Sequence, residues 1–221
     1  MKTTIIFILL LVEFSFCYSQ NNQIDKEYFL LGTLDDYLGR RKNGEIDSTV
    51  DRHYPHEKML TFFLDSLFKT EYPDLRSDTT SSGHRTLYSK KLSSKINHYY
   101  TFTESNVRSI TEDNREVIVY YGTLKAGIFK KDLSKYSYLA GVFARYGTIK
   151  GDTFIIKLAN STNKFKTCEK LLKTLRCENV ETETLQTIPR ANTITFTSTK
   201  KLKPYLLQTK EWMKKRKTIL K

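Results

Sequence analysis

Hydrophobic and polar positions alternate most cleanly between Thr153 and Leu158. Phe154, Ile156 and Leu158 point one way and Thr153 and Lys157 the other, the period-two signature of a half-buried strand. Lys150-Gly151-Asp152 just before it reads as a tight connection, with Gly151 free to take a positive φ. The residues upstream admit two readings. Val142 to Ile149 is either the partner strand of a hairpin, or Tyr138, Leu139, Val142 and Tyr146 line one face of a short helix. The β-branched and aromatic residues, with Gly141 and Gly147 weakening a helix, favour the hairpin.

Helical spacing dominates the first half of the chain. Ile24, Tyr28, Leu31, Leu34 and Leu38 share one face and predict a helix from Ile24 to Arg41, with Asp25 and Glu27 suited to its amino-terminal dipole. A second helix is expected from Pro55 to Lys69, where apolar residues wrap most of the circumference, and a third from Thr86 to Tyr100. Ser77 to Gly83 has the composition of a loop. From Glu116 the pattern turns to sheet: Val117, Val119 and Tyr121 alternate with Ile118 and Tyr120, and Thr123 to Lys130 continues the strand after a bend at Gly122. Phe165, Cys168, Leu172 and Leu175 describe a further helix, Asn192 to Ser198 a strand, and Pro204 opens a last helix with Trp212 beside its apolar seam. The fold class is therefore α+β, with N-terminal helices followed by a mostly antiparallel sheet and a C-terminal helix.

Residues 1–19 read as an export signal. Lys2 supplies the positive start, Ile5 to Val12 is uninterrupted apolar sequence, and Cys17 and Ser19 place small residues at −3 and −1 of a cut before Gln20. Acylation of Cys17 is a narrower alternative. The apolar run is shorter than the roughly 20 residues that span a bilayer, and no later segment qualifies. Residues 20–221 then form one domain, mainly helical over 20–110 and sheet-rich and basic over 111–221. The whole chain holds 13 Phe and 14 Tyr, all but Phe7, Phe14, Phe16 and Tyr18 within this domain, which suggests an aromatic core.

Charge changes the picture more than any motif. Residues 20–116 hold 14 Lys/Arg against 16 Asp/Glu, whereas residues 117–221 hold 22 against 7; the whole chain is +13. The excess gathers at Lys200, Lys201, Lys203, Lys210, Lys214, Lys215, Arg216 and Lys217. Of these, Lys210, Lys214, Lys215, Arg216 and Lys217 are the expected contacts with an anionic partner. Anionic envelope material, such as phospholipid headgroups or lipopolysaccharide phosphates, and an acidic partner protein both fit that charge. Nucleic acid fits less well, because aromatic residues are not interleaved with the basic cluster.

Candidate chemistry is sparse. His53, His56 and Glu57 are suitable metal-ligand types, but their spacing matches neither H-E-x-x-H nor H-x-x-E-H, and Pro55 beside them marks the start of a helix. The dipole there explains Glu57, so no metal is assigned. His84 and His98 are isolated. Cys168 and Cys177 pose a choice: one helix over 164–176 would hold their Cα atoms about 13 Å apart, and a disulfide needs less than about 7 Å. No serine elbow, Walker loop or dinucleotide fingerprint occurs, and no cofactor is implied. The function classes that remain are an exported binding protein, a hydrolase of anionic polymer with a site dispersed in sequence, and an immunity-type neutraliser of a partner protein. The first is favoured.

Overall fold

The computed structural model describes residues 23–35, 40–44, 47–110 and 114–219, with side chains described as far as Trp212. The export signal, Leu38 and Gly39 thus lie outside the described residues.

Helix α1 (Lys26–Thr33) starts where Asp25 accepts the Tyr28 N–H at 3.4 Å. It is shorter than the sequence pattern predicts: Leu34 is extended, and Arg40–Asn43 forms strand β1. Cations take up the carbonyls at its end. Lys164 donates to Leu31 O at 3.3 Å and Gly32 O at 2.9 Å, and Arg145 to Thr33 O at 2.7 Å. These are the acceptors that a helix end leaves free, at its negative pole.

Strand β2 (Thr49–His53) leads through a short turn of helix, Pro55–Glu57, into α2 (Lys58–Phe68), as the apolar pattern predicts. The expected helix from Thr86 to Tyr100 is two elements. Strand β4 (Arg85–Tyr88) pairs with β2 and with β3 (Arg76–Thr79), and α3 (Lys90–Asn97) begins only after Ser89, whose hydroxyl accepts the Leu92 N–H at 3.0 Å. Ser77 to Thr79, the first residues of the expected loop, thus belong to an edge strand. Strands β5 (Tyr100–Ile110) and β6 (Glu116–Leu124) form a long antiparallel hairpin, with β1 on the far side of β6. Strand β6 ends at Leu124, short of the expected Lys130.

The largest correction is at the centre. The helical alternative holds, and Asp132–Tyr146 is helix α4, not a strand. Gly141, which argues against helix by propensity, is there for packing. A Cβ on it would sit 2.0 Å from Phe29 O, and one on Gly32 would sit 2.1 Å from Tyr138 O. Two glycines thus allow the α1 and α4 backbones to touch. The hairpin is real but starts later: β7 (Gly147–Lys150) turns at Gly151, φ 60°, into β8 (Thr153–Ala159).

Helix α5 (Thr162–Thr174) follows, then β9 (Glu178–Leu185) and β10 (Ala191–Thr197), and α6 (Lys203–Ile219) ends the described chain. The third sheet has the order β7-β8-β10-β9. Phe154, Ile156, Leu158, Ile194 and Phe196 all lie on its buried face, against Phe143 of α4 and Cys168, Leu171 and Leu172 of α5. All three sheets are antiparallel, and the architecture is α+β. Among the described residues no helix is long and apolar enough to cross a membrane.

Candidate functional site

A buried group of ionisable side chains lies where β2, the start of α2 and the end of α4 converge. Strand β2 slips register against β4 between Thr49 and Asp51. Val50, Asp51 and His53 are all buried as a result. Glu57 faces the same point, its Oε2 accepting the Tyr54 N–H at 2.8 Å. Arg145, from the last turn of α4, reaches in from the opposite side.

Arg145 uses every N–H it has. Nε donates to Glu57 Oε1 at 2.8 Å and Nη2 to Glu57 Oε2 at 2.8 Å, a bidentate pair. Nη1 donates to Asp51 Oδ2 at 2.9 Å and Thr33 O at 2.7 Å, and Nη2 to Arg52 O at 2.7 Å. The paired carboxylates hold the guanidinium charged despite its burial. Asp51 Oδ1 meanwhile accepts the N–H groups of Asp35 and Arg52, both at 2.9 Å. The Tyr146 hydroxyl donates to Leu34 O at 3.3 Å, and burial raises its pKa well above the ordinary value.

His53 sits within this cluster, fully buried, with neither ring nitrogen hydrogen-bonded. Nε2 is 3.4 Å from Asp51 Oδ2 and Nδ1 3.8 Å from Glu57 Oε2. Burial lowers its pKa below 6.5; Asp51 and Glu57 oppose the shift, and Arg145 reinforces it. These contacts therefore join a neutral imidazole to carboxylates already bound by Arg145, and are not ion pairs at neutral pH.

The suggested metal residues do not converge. His53 and Glu57 meet, but His56 is exposed and stacks on Tyr54 with ring centroids 5.7 Å apart. His84 pairs with Ser82 Oγ at 2.9 Å, and His98 with Ser94 O at 2.8 Å. Among the described residues no group of His, Cys, Asp or Glu could hold a metal ion. Cys168 and Cys177 are not joined in a disulfide: Cys168 lies in the core on α5 and Cys177 just beyond the helix. Burial raises the Cys177 pKa, away from the reactive thiolate.

Of the basic residues singled out from sequence, Lys210 is engaged inside the fold. Its Nζ donates to Gly147 O at 2.5 Å and lies 5.2 Å from the Phe143 ring centroid. Lys214, Lys215, Arg216 and Lys217 belong to α6, and their side chains lie outside the described residues. Lys200, Lys201 and Lys203 are exposed. The apolar seam of α6 is docked: Leu202, Leu206 and Thr209 are buried, Tyr205 stacks on Tyr136 at 5.0 Å and Trp212 on Phe63 at 5.0 Å.

Open clefts among the described residues include two of similar size. One, of about 550 Å³, runs between β1, β2 and β4 past Arg41, Lys42, Asp47, Asp51 and Tyr88. The other, of about 490 Å³, lies on the outer face of β8, β10 and β9. Asp51 and Arg145, the residues that assemble the buried cluster, are not evident from sequence motifs. The one available signal is the position of Arg145 directly after the apolar run Leu139–Ala144, since such a charge must find partners when buried. No protein-family model and no curated protein matches the chain.

Proposed function

We propose that the chain is an exported protein that acts by binding, its basic carboxy-terminal half meeting an anionic component of the cell envelope. The observation that carries this reading is the partition of charge, 22 Lys/Arg against 7 Asp/Glu over residues 117–221. Docking of the α6 seam on α4 and α2 supports it, because the helix then meets a partner through its charge and not by inserting apolar side chains. The groups best suited to acid–base work, His53, Asp51 and Glu57, are enclosed by Arg145, which supports binding over hydrolysis.

Export rests on the run from Lys2 to Ser19, and amino-terminal sequencing of the exported product is expected to begin at Gln20. Binding is tested by co-sedimentation with vesicles containing an anionic phospholipid. Association is expected at low ionic strength, declining steeply as salt shortens the screening length to about 8 Å at 0.15 M. Absence of association at low salt would contradict the lipid reading. A single acidic protein co-purifying stoichiometrically would then mark the partner as protein.

A further inference from the structure

The Arg145 cluster contains an imidazole that its surroundings accommodate only when neutral. From its own strand His53 faces Asp51, and from the start of α2 it faces Glu57. Arg145 faces it from α4, and the Asp35 charge acts on it from the segment after α1. Tyr146 joins the same group of charges, and Arg85 is the cross-strand neighbour on β4, with its guanidinium carbon 4.6 Å from the Phe62 ring centroid. The acceptors are nearly filled. Glu57 Oε2 already takes two donors, Arg145 Nη2 and the Tyr54 N–H, and Asp51 Oδ1 takes two backbone N–H groups. Of the two oxygens that face the ring, Asp51 Oδ2 and Glu57 Oε2, only Asp51 Oδ2, bound once by Arg145, has capacity left; Glu57 Oε1 is also bound once but is not the oxygen facing the ring. A protonated ring would bring two N–H groups to one vacant acceptor, with no exposure to water.

We propose that His53 is an acid-sensing latch: protonation of its ring loosens the Arg145 clamp and frees the segment from Tyr54 to Glu57 at the start of α2. Arg145 is the only side chain described here that joins Thr33, Asp51, Arg52 and Glu57 at one point, so competition for its carboxylates loosens all four contacts together. The direction follows from linkage. The folded-state value lies below 6.5, so the unfolded chain binds the extra proton as pH falls below 6.5. Stability contributed by neutral His53 is complete above that pH, is lost as pH falls through 6.5, and the loss levels off beneath the folded-state value.

The test is urea unfolding of the protein and of His53→Gln between pH 7.5 and 5.0, together with amide hydrogen exchange over residues 54–57. For the native sequence the folding equilibrium constant is expected to fall by up to about tenfold per pH unit below 6.5, with lower protection, relative to intrinsic exchange at the same pH, at the amides of Tyr54, His56 and Glu57. In His53→Gln both changes are expected to shrink. An equal decline in both proteins, or unchanged protection at these amides, would overturn the proposal. Should His53→Gln fail to fold, the imidazole carbon shifts of the native protein decide. A His53 ring still neutral at pH 6.5 supports the latch, and one already protonated there overturns it.

Discussion

Arg145 brings two carboxylates into an interior where neither would persist alone. Each has a local reason to be there: Glu57 bonds the Tyr54 N–H, and Asp51 collects two backbone N–H groups beside a register slip. Their charge, however, is balanced from the end of α4. Removing one partner of a buried pair typically costs about 3–5 kcal/mol, because the remaining charge stays desolvated. Arg145→Met is expected to lose stability of that order in urea unfolding near neutral pH. Arg145→Lys should recover only part, since an ammonium cannot fork across Glu57 while also reaching Thr33 O and Arg52 O. A loss of less than about 1 kcal/mol for Arg145→Met, the usual worth of a solvated surface pair, would show that the cluster is open to water.

The α1–α4 crossing decides how elements are arranged around that cluster, since α1 supplies Thr33 O and α4 supplies Arg145. Gly141→Ala would force a methyl against the Phe29 carbonyl, a backbone atom that cannot swing aside. Overpacking of this kind costs about 1–3 kcal/mol or more. Gly151→Ala, at φ 60° with nothing within 4 Å of the added Cβ, meets only the local penalty of about 1–2 kcal/mol for a left-handed backbone. Thermal unfolding followed by circular dichroism should therefore show the larger drop in midpoint for Gly141→Ala; the reverse order would contradict the close crossing. The same glycine explains what the sequence conceals. Propensity counts Gly141 against a helix, whereas the packing that requires it comes from residues more than a hundred positions away. Strands β8 and β10 were legible because one buried face imposes strict alternation. Strand β9 was not: its Glu and Thr residues are almost all exposed, so no apolar face marks it. His53 and Glu57 stood out by residue type, but Arg145 lies 88 residues from Glu57 and 94 from Asp51, beyond any local spacing rule.

At the scale of the whole molecule, the described cations include some enclosed by the fold and others left exposed. The buried cations, Arg40, Arg145 and Lys164, answer carbonyls and carboxylates within the structure. The cations around the start of α6, Lys200, Lys201 and Lys203, are exposed. Each Lys or Arg near an anionic membrane contributes about 1 kcal/mol, so a local group of four outweighs the same charges dispersed. The decisive measurement compares vesicle co-sedimentation at low salt for two fourfold reversals that lower net charge equally. One changes Lys214, Lys215, Arg216 and Lys217 to Glu, and the other changes the exposed Arg41, Arg52, Lys90 and Lys91 to Glu. The binding reading expects the first to weaken association at least a hundredfold and the second to leave most of it. Equal weakening by both, or none by the first, would contradict a carboxy-terminal binding surface.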